Sequence, residues 1–311
     1  MDPSGQLLLR PGSHVARRTD GRLHVGLTTG AATTVPDTAD VRRLLAARRS
    51  GADAAETLGP PSDWSPETRL ADLGLHRARL LVDAPSALRA AQDAGRSVPD
   101  GEGAVAALLG EDPARALDRV AARRAAVVGL TGDVGVDELD ALLQSGLVGH
   151  TIVGAEVPAD PRDGSGPTVV LTLGEPDRDR SDTLVAAGVP HLWVAVLPDR
   201  VRIGPFVQVG ATACLRCVDA AQREHDPQLP VVLAQSSGTV PGVLADPVDP
   251  VGLALGIAAT AREVLLHVDG DVPTTWSATL DLVPDGTEVR RTWARHPWCG
   301  CSWQDGTDPP A

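Results

Sequence analysis

The chain has 311 residues, 42% of them hydrophobic, with a mean hydropathy of −0.03, the composition of one or two folded domains with ample core. Its 41 acidic residues outweigh 28 basic ones, for a net charge of −13, which argues against nucleic acid as the main partner because phosphate neutralisation needs a basic surface. Every base is an arginine, so the chain offers no P-loop lysine, no Schiff-base lysine and no lysine general base.

In chain order, QLLLR, SHVAR after Pro11-Gly12, and RLHVGL after Asp20-Gly21 read as a small β-meander. A helix follows in VPDTADVRRLLAARRSG, with Asp37 or Thr38 as N-cap, Val41, Leu44 and Leu45 as its apolar stripe, and Gly51 as its stop. From Gly51 to Pro66 the pattern is weak; LADLGLHRARLLVDA then offers a short helix and a strand ending near Ala84. Strands followed by about three helices suggest a small winged-helix-like domain over residues 1–86. Residues 87–123, rich in Ala, Arg and Asp around GRSVPDGEG, read as helical linker.

The pattern changes at RRAAVVGLTGDVGVDELDALLQSGLVG. An apolar strand over Ala125–Val128, a glycine-rich turn, and a helix with Val136, Leu139, Leu142 and Leu143 on one side form the opening of a nucleotide-binding βαβ unit. TIVGAEV, PTVVLTLGE and HLWVAVL are the next strands, with SDTLVAAG as a short helix closed by Gly188. This alternation predicts an α/β domain with a largely parallel sheet over residues 124–303, and a tail at 304–311. VGLALGIAATAREVLLHV from Val251 is interrupted by Gly252, Gly256, Arg262 and Glu263, and its repeat of Leu253, Ile257, Ala261, Val264 and Val268 reads as a core helix rather than a membrane span. The N-terminus lacks the long apolar stretch of a signal peptide, and with four cysteines the cytoplasm is the expected location.

A phosphate-binding turn needs glycines so that backbone N–H groups can approach the phosphate. Here the spacing is Gly129, Gly132, Gly135, not GxGxxG. Gly132 and Gly135 match the second and third glycines, and Leu130 replaces the first. Glu156 and Asp160 are poor candidates for the ribose-binding acid, and Asp133 puts a negative charge in the turn. A nucleotide fold whose ATP site has degenerated is the favoured reading.

The cysteines fall in two tight pairs, Cys214-Leu-Arg-Cys217 and Cys299-Gly-Cys301, about eighty residues apart. Four thiolates close the coordination shell of one tetrahedral Zn²⁺; two local disulfides, or one long-range pair, are the competing reading. His225 and His296 lie near these pairs in sequence, as residues orienting a ligand or as ordinary surface or packing histidines. No Gly-x-Ser-x-Gly or HExxH pattern marks a catalytic centre.

AGVPHLWVAVLPDRVRIGPFVQVGATACLRCVDAAQREHDPQLP, together with ARHPWCGC, resembles the ThiF-like partner proteins of azole-forming peptide biosynthesis. These are the thiazole/oxazole-modified microcin (TOMM) cyclodehydratase or leader-peptide-binding proteins. LLLRPGSHVARRTDGRLHVGL resembles their small peptide-clamp domain, the RiPP recognition element. The resemblance implies a winged-helix-like clamp followed by a ThiF/MoeB-like, ubiquitin-activating-enzyme-like Rossmann-type domain. It implies a structural zinc on Cys214, Cys217, Cys299 and Cys301, a precursor-peptide leader and a YcaO cyclodehydratase as partners, and no chemistry of the chain's own. A homodimer is compatible with it, and an active ThiF-like ATP-dependent adenylating enzyme is the alternative. Leu229 departs from the tryptophan common before the proline at that point. The clamp would work by β-augmentation, for which the strand Arg22–Leu27 and the helix Val41–Arg49 are the candidates, with Arg42, Arg43, Arg48 and Arg49 as attractors of an acidic leader or as a solvated helix face.

Overall fold

The computed structural model describes residues 6–28, 31–154, 166–236, 248–297 and 299–301. The chain divides into two compact units, Met1–Ala121 and Ala122–Ala311.

The first unit contains β1 (Leu7–Leu9), β2 (Val15–Arg17), β3 (Arg22–Thr28), β4 (Ala31–Pro36), α1 (Ala39–Ser50), α2 (Ala54–Leu58), α3 (Pro66–Arg77), β5 (Leu81–Asp83), α4 (Ala84–Ser97) and α5 (Gly101–Glu111), and ends within α6 (Ala116–Ala125). Its antiparallel sheet runs in the order β2-β3-β4. The first predicted strand is not part of this meander: β1 pairs with β5, Leu8 opposite Val82, because Pro11 and Gly12 turn the chain away. The third strand of the meander is instead Ala31–Pro36. Thr38 caps α1 by accepting the Val41 N–H, and Gly51 ends it in the left-handed region at φ 71°. The core gathers Val25, Val35, Val41, Leu44, Trp64, Ala71, Leu75 and Leu80. Residues 87–123 are helical, in α4, α5 and α6. At Gly101 a Cβ would stand 2.4 Å from the Ala94 carbonyl oxygen, so only glycine lets α5 start that close to α4.

The second unit is built from β6 (Val127–Gly132), α7 (Val136–Ser145), β7 (His150–Val153), β8 (Thr168–Leu173), α8 (Arg178–Ala186), β9 (His191–Leu197), β10 (Arg200–Val207), α9 (Leu215–Arg223), α10 (Leu229–Gln235), α11 (Pro250–Val268), β11 (Ala278–Leu282) and β12 (Glu288–Thr292). These strands form one sheet in the order β12-β11-β10-β9-β8-β6-β7. The predicted sheet was largely parallel; the observed one is mixed. β7, β6, β8 and β9 are parallel, and β10, β11 and β12 extend the sheet by antiparallel hairpins. β6 also starts later than predicted, because α6 runs through Ala125.

Alternation along the strands sorts side chains to two helical layers. Val169, Leu171, Leu192 and Val194 pack with Leu139 and Leu143 of α7 and Ile257, Ala261 and Val264 of α11. Val170 and Trp193 point the other way, into Leu184 of α8 and Leu215 of α9. Burial on both faces is why β8 and β9 read as continuous apolar runs. By length and composition α11 would suffice to cross a membrane, but one face of it packs into this core, and its Glu263 is buried.

Candidate functional site

α9 begins at the first cysteine pair. Cys214 is its N-cap, and Cys217 N–H donates to the Cys214 carbonyl at 3.0 Å. Leu215 anchors the same turn against the sheet. The second pair returns to this point after β12, where Cys299 N–H bonds the His296 carbonyl and His296 N–H donates to Cys217 Sγ at 3.3 Å. The structure thus brings all four predicted cysteines together, buried, with their sulfurs within 4.8 Å of one another. Cys214–Cys217 is 3.8 Å, and Cys214–Cys299 and Cys217–Cys301 are each 3.5 Å. A disulfide requires about 2.05 Å, and all four thiols are free. Four sulfurs set tetrahedrally at about 2.3 Å from one zinc stand about 3.8 Å apart, so these residues fit a single tetrahedral ion. Hydrogen bonds from Cys214, and then from Cys299 and Cys301, hold Cys217 well below the ordinary thiol range, against burial and helped by the His296 N–H.

A cavity of about 570 Å³ opens beside the cluster, lined by Arg216, Arg223 and the His296 segment. Arg216 is paired with Asp182 and Asp179. His225 is exposed at the end of α9, its Nδ1 3.3 Å from the Ala221 carbonyl.

The three glycines of the phosphate turn divide. Gly129 lies inside β6, opposite Ile152 and Thr168. Gly132 and Gly135 form the turn into α7, and both are required: a Cβ at Gly132 would meet the Leu171 carbonyl oxygen at 2.0 Å, and one at Gly135, with φ 70°, would meet Ile257 Cδ1 at 2.7 Å. Both glycines are thus required by the close packing of the turn on Leu171 and Ile257, and acids surround it. Asp133 accepts the Leu173 N–H at 3.4 Å, and Asp137 and Glu138 occupy the first turn of α7. A nearby base, Arg180, donates to Thr131 Oγ1 at 2.8 Å. Carboxylates favour a helix N-terminus for the same reason a phosphate does, so α7 already carries its negative charge. Glu156 and Asp160 lie outside the described residues.

In the first unit two expectations change. β3 is the central strand, paired with β2 on one side and β4 on the other, so the strand Arg22–Leu27 has no edge to offer a peptide. Of the four α1 arginines, three are already paired with acids, while Arg49 is exposed. Arg42 is held by Asp37 at 2.5 and 2.9 Å, Arg43 pairs with Asp40, and Arg48 is buried against Asp72 at 3.0 Å. Among the described residues both outer strands of this sheet, β2 and β4, leave one edge unpaired. α3 packs against β4, with Gly74 over Thr33, where an added Cβ would sit 3.1 Å from Thr33 Oγ1. On the same helix Leu70 and Leu73 are 65% and 42% exposed. The exposed leucines sit at i and i+3, outside the buried stripe of Thr68, Ala71, Asp72 and Leu75, and a helical-period count could have singled them out.

Sequence comparison matches the chain to no protein family and to no curated protein. The fold is nonetheless shared with solved structures. The heterocyclase TruD superposes with a TM-score of 0.63 at 17% identity, over 96% of this chain and 42% of that one. A heterocyclase in complex with substrate and cofactor gives 0.62 at 18%, over 96% and 39%. MccB of E. coli with AMPCPP and MccA gives 0.57 at 13%, over 95% and 99%. The chain thus spans about two fifths of each heterocyclase and nearly all of MccB. At these identities the likeness is one of fold: a mixed α/β architecture similar to TruD and MccB.

Proposed function

We propose that this chain is a non-catalytic, leader-peptide-binding partner that presents a ribosomal precursor peptide to a YcaO cyclodehydratase for azoline formation. The observation that carries the reading is the open edge of β4, the strand against which α3 packs, together with Leu70 and Leu73 exposed on that helix. An extended peptide can add to a free strand edge through main-chain hydrogen bonds while its apolar side chains dock on the neighbouring helix. β3 bonds to β2 through residues 22 and 26 (Arg18 N–H to Arg22 O, Gly26 N–H to His14 O), so its alternate residues face β4, and Ala32 and Thr34 turn their main-chain groups outward. The Arg22 guanidinium caps the Thr34 carbonyl at 3.0 Å, a bond a docking strand shares or displaces.

In this reading the first unit is a winged-helix-like clamp and the second a ThiF/MoeB-like domain whose nucleotide turn serves architecture. The acids at Asp133, Asp137 and Glu138 support the non-catalytic assignment, because they oppose a triphosphate. The four cysteines hold a structural zinc, and a reducing cytoplasm keeps them available for it. Among the similar folds, one heterocyclase is described with its substrate and MccB with MccA, which fits a peptide as the ligand. The test is titration of the full chain with the leader of the precursor encoded beside it. Affinity at low micromolar or better is expected, and no binding at high micromolar rejects the proposal. The retained glycines Gly132 and Gly135 favour the adenylating alternative, which predicts peptide-dependent ATP–pyrophosphate exchange; the present reading predicts none.

A further inference from the structure

The two halves of the cysteine cluster are joined through one residue that belongs to neither. Ser277 lies between α11 and β11, and its Oγ accepts the Ala213 N–H at 2.9 Å, one residue before Cys214. Its carbonyl accepts the Trp293 N–H at 2.7 Å, at the start of the segment that leads to Cys299. We infer that Ser277 is a positioning residue, a clasp that assembles both thiol pairs ahead of the metal. The inference rests on the metal reading proposed above.

The backbone at Ser277 carries the argument further. Its φ is 47°, in the left-handed region that L residues with a Cβ rarely adopt. Glycine would adopt it freely but would supply no hydroxyl. The residue present is therefore one that accepts an unfavourable backbone and uses its side chain on the cysteine-bearing segment. The clasp also has a fixed seat. Thr275 donates both its N–H and its Oγ1 to the carboxylate of Glu263, at 2.8 and 2.6 Å, and Thr274 Oγ1 adds a third bond at 2.6 Å. The Thr275 carbonyl accepts Phe206 N–H from β10. Glu263 is buried on α11, so the clasp is tied to the core helix and to the sheet together.

The consequence is thermodynamic. An ion that binds only the assembled set of thiols has an apparent affinity scaled by the fraction of molecules in which the set is assembled. Losing the Ser277 hydroxyl leaves the Ala213 N–H without its acceptor and lowers that fraction, an effect worth about tenfold in affinity for one such bond.

The experiment strips the full chain of metal under reducing conditions and titrates Zn²⁺ against a chromophoric chelator, for wild type, Ser277→Gly, Ser277→Ala and the control Thr183→Ala, an exposed residue of α8. Expected are a loss of about tenfold in zinc affinity for both Ser277 variants, wild-type affinity for Thr183→Ala, and an unchanged unfolding midpoint for zinc-loaded Ser277→Gly, whose backbone is at ease. Wild-type zinc affinity in Ser277→Gly overturns the clasp, whether or not its unfolding midpoint falls. Failure of the wild-type chain itself to take up zinc overturns the metal reading and the clasp with it, so the two failures are told apart by the wild-type arm.

Discussion

Arg178 and Asp219 form a two-pronged ion pair, Nε to Oδ2 at 3.2 Å and Nη2 to Oδ1 at 3.0 Å, with both side chains nearly buried. The pair ties the start of α8 to α9, the helix that carries Cys214 and Cys217. It belongs to a chain of charges: Arg178 also meets Glu175, Glu175 meets Arg202, and Arg202 grips Asp281 at 2.7 and 3.1 Å. Breaking a buried pair from one side costs about 3–5 kcal/mol because a charge is left unpaired, and the two sides differ here. Asp219→Ala leaves Arg178 bonded to Glu175 and to the Pro176 carbonyl, so its cost falls at or below the low end. Arg178→Ala removes both charge-assisted bonds to Asp219 and leaves Glu175 only the longer contact with Arg202, so it costs more. Urea unfolding of both variants and of the double mutant checks the order, with the double mutant less destabilised than the sum of the singles.

The metal prediction follows from the four-sulfur geometry. Structural zinc contributes roughly 10–16 kcal/mol in small metal-dependent domains, comparable with the net stability of a whole domain, about 5–15 kcal/mol. Cys299→Ser removes one ligand from a closed shell and half of the tie that holds the C-terminal segment. Elemental analysis of protein purified without chelators is expected to give one zinc per wild-type chain and less than one for the variant. The variant also aggregates at lower temperature. Peptide binding through β4 and α3, which lie in the other unit, survives the change.

Much of this architecture is legible in the residues, and what is not has physical reasons. The Thr38 and Gly51 caps, the Asp20-Gly21 turn and the run HLWVAVL each act locally, and the sequence places them within a residue or two. Pairing between distant segments is not local: nothing in Leu7–Leu9 announces Leu81–Asp83 as its partner, and Arg200–Val207 gives no sign that it adds antiparallel to a parallel sheet. α4 and α5 approach through Ala94 and Gly101, and a contact between small residues leaves no hydrophobic stripe to read. The cysteine types and spacing suggest a metal, but the residue joining the two pairs, Ser277, carries no motif at all.

The peptide edge gives a prediction that separates binding from folding. Leu70 and Leu73 are exposed, and surface substitutions of this kind change stability by about 0.5 kcal/mol or less. If they seat apolar leader side chains, Leu70→Asp with Leu73→Asp weakens leader binding by at least about tenfold, the effect of losing one well-packed anchor of 1–2 kcal/mol. Fluorescence anisotropy of a labelled leader measures the loss, and thermal unfolding shows the fold intact. Arg42→Ala and Arg43→Ala, whose charges are already met by Asp37 and Asp40, leave the affinity within about twofold.

Stability is expected to fall with acid in two separate windows. Burial pushes His191 down to about 4 against the opposing hydrogen bond at the Val189 carbonyl, and its Nδ1 lies 2.8 Å from that oxygen. Between about pH 6.5 and 4 the unfolded chain therefore binds a proton that the folded chain refuses, so stability declines as pH drops through that range, by roughly 3 kcal/mol at 1.36 kcal/mol per unit. His267, also lowered by burial, adds in the same direction. Asp281 acts in the second window. Burial raises it, but the hydrogen bond and charge of Arg202, then those of Arg200, outweigh burial and hold it below the ordinary carboxylate range. A depressed carboxylate contributes stability above its unfolded value of about 3.9, and that contribution is lost as pH falls through the lower folded value. Denaturant midpoints from pH 7 to 3 should thus show an early decline that His191→Gln reduces and a later one that Asp281→Asn reduces. A single decline untouched by His191→Gln rejects the assignment of the first window to that ring. Trp193, whose ring stands edge-on to His191 with centroids 6.3 Å apart, provides the fluorescence signal.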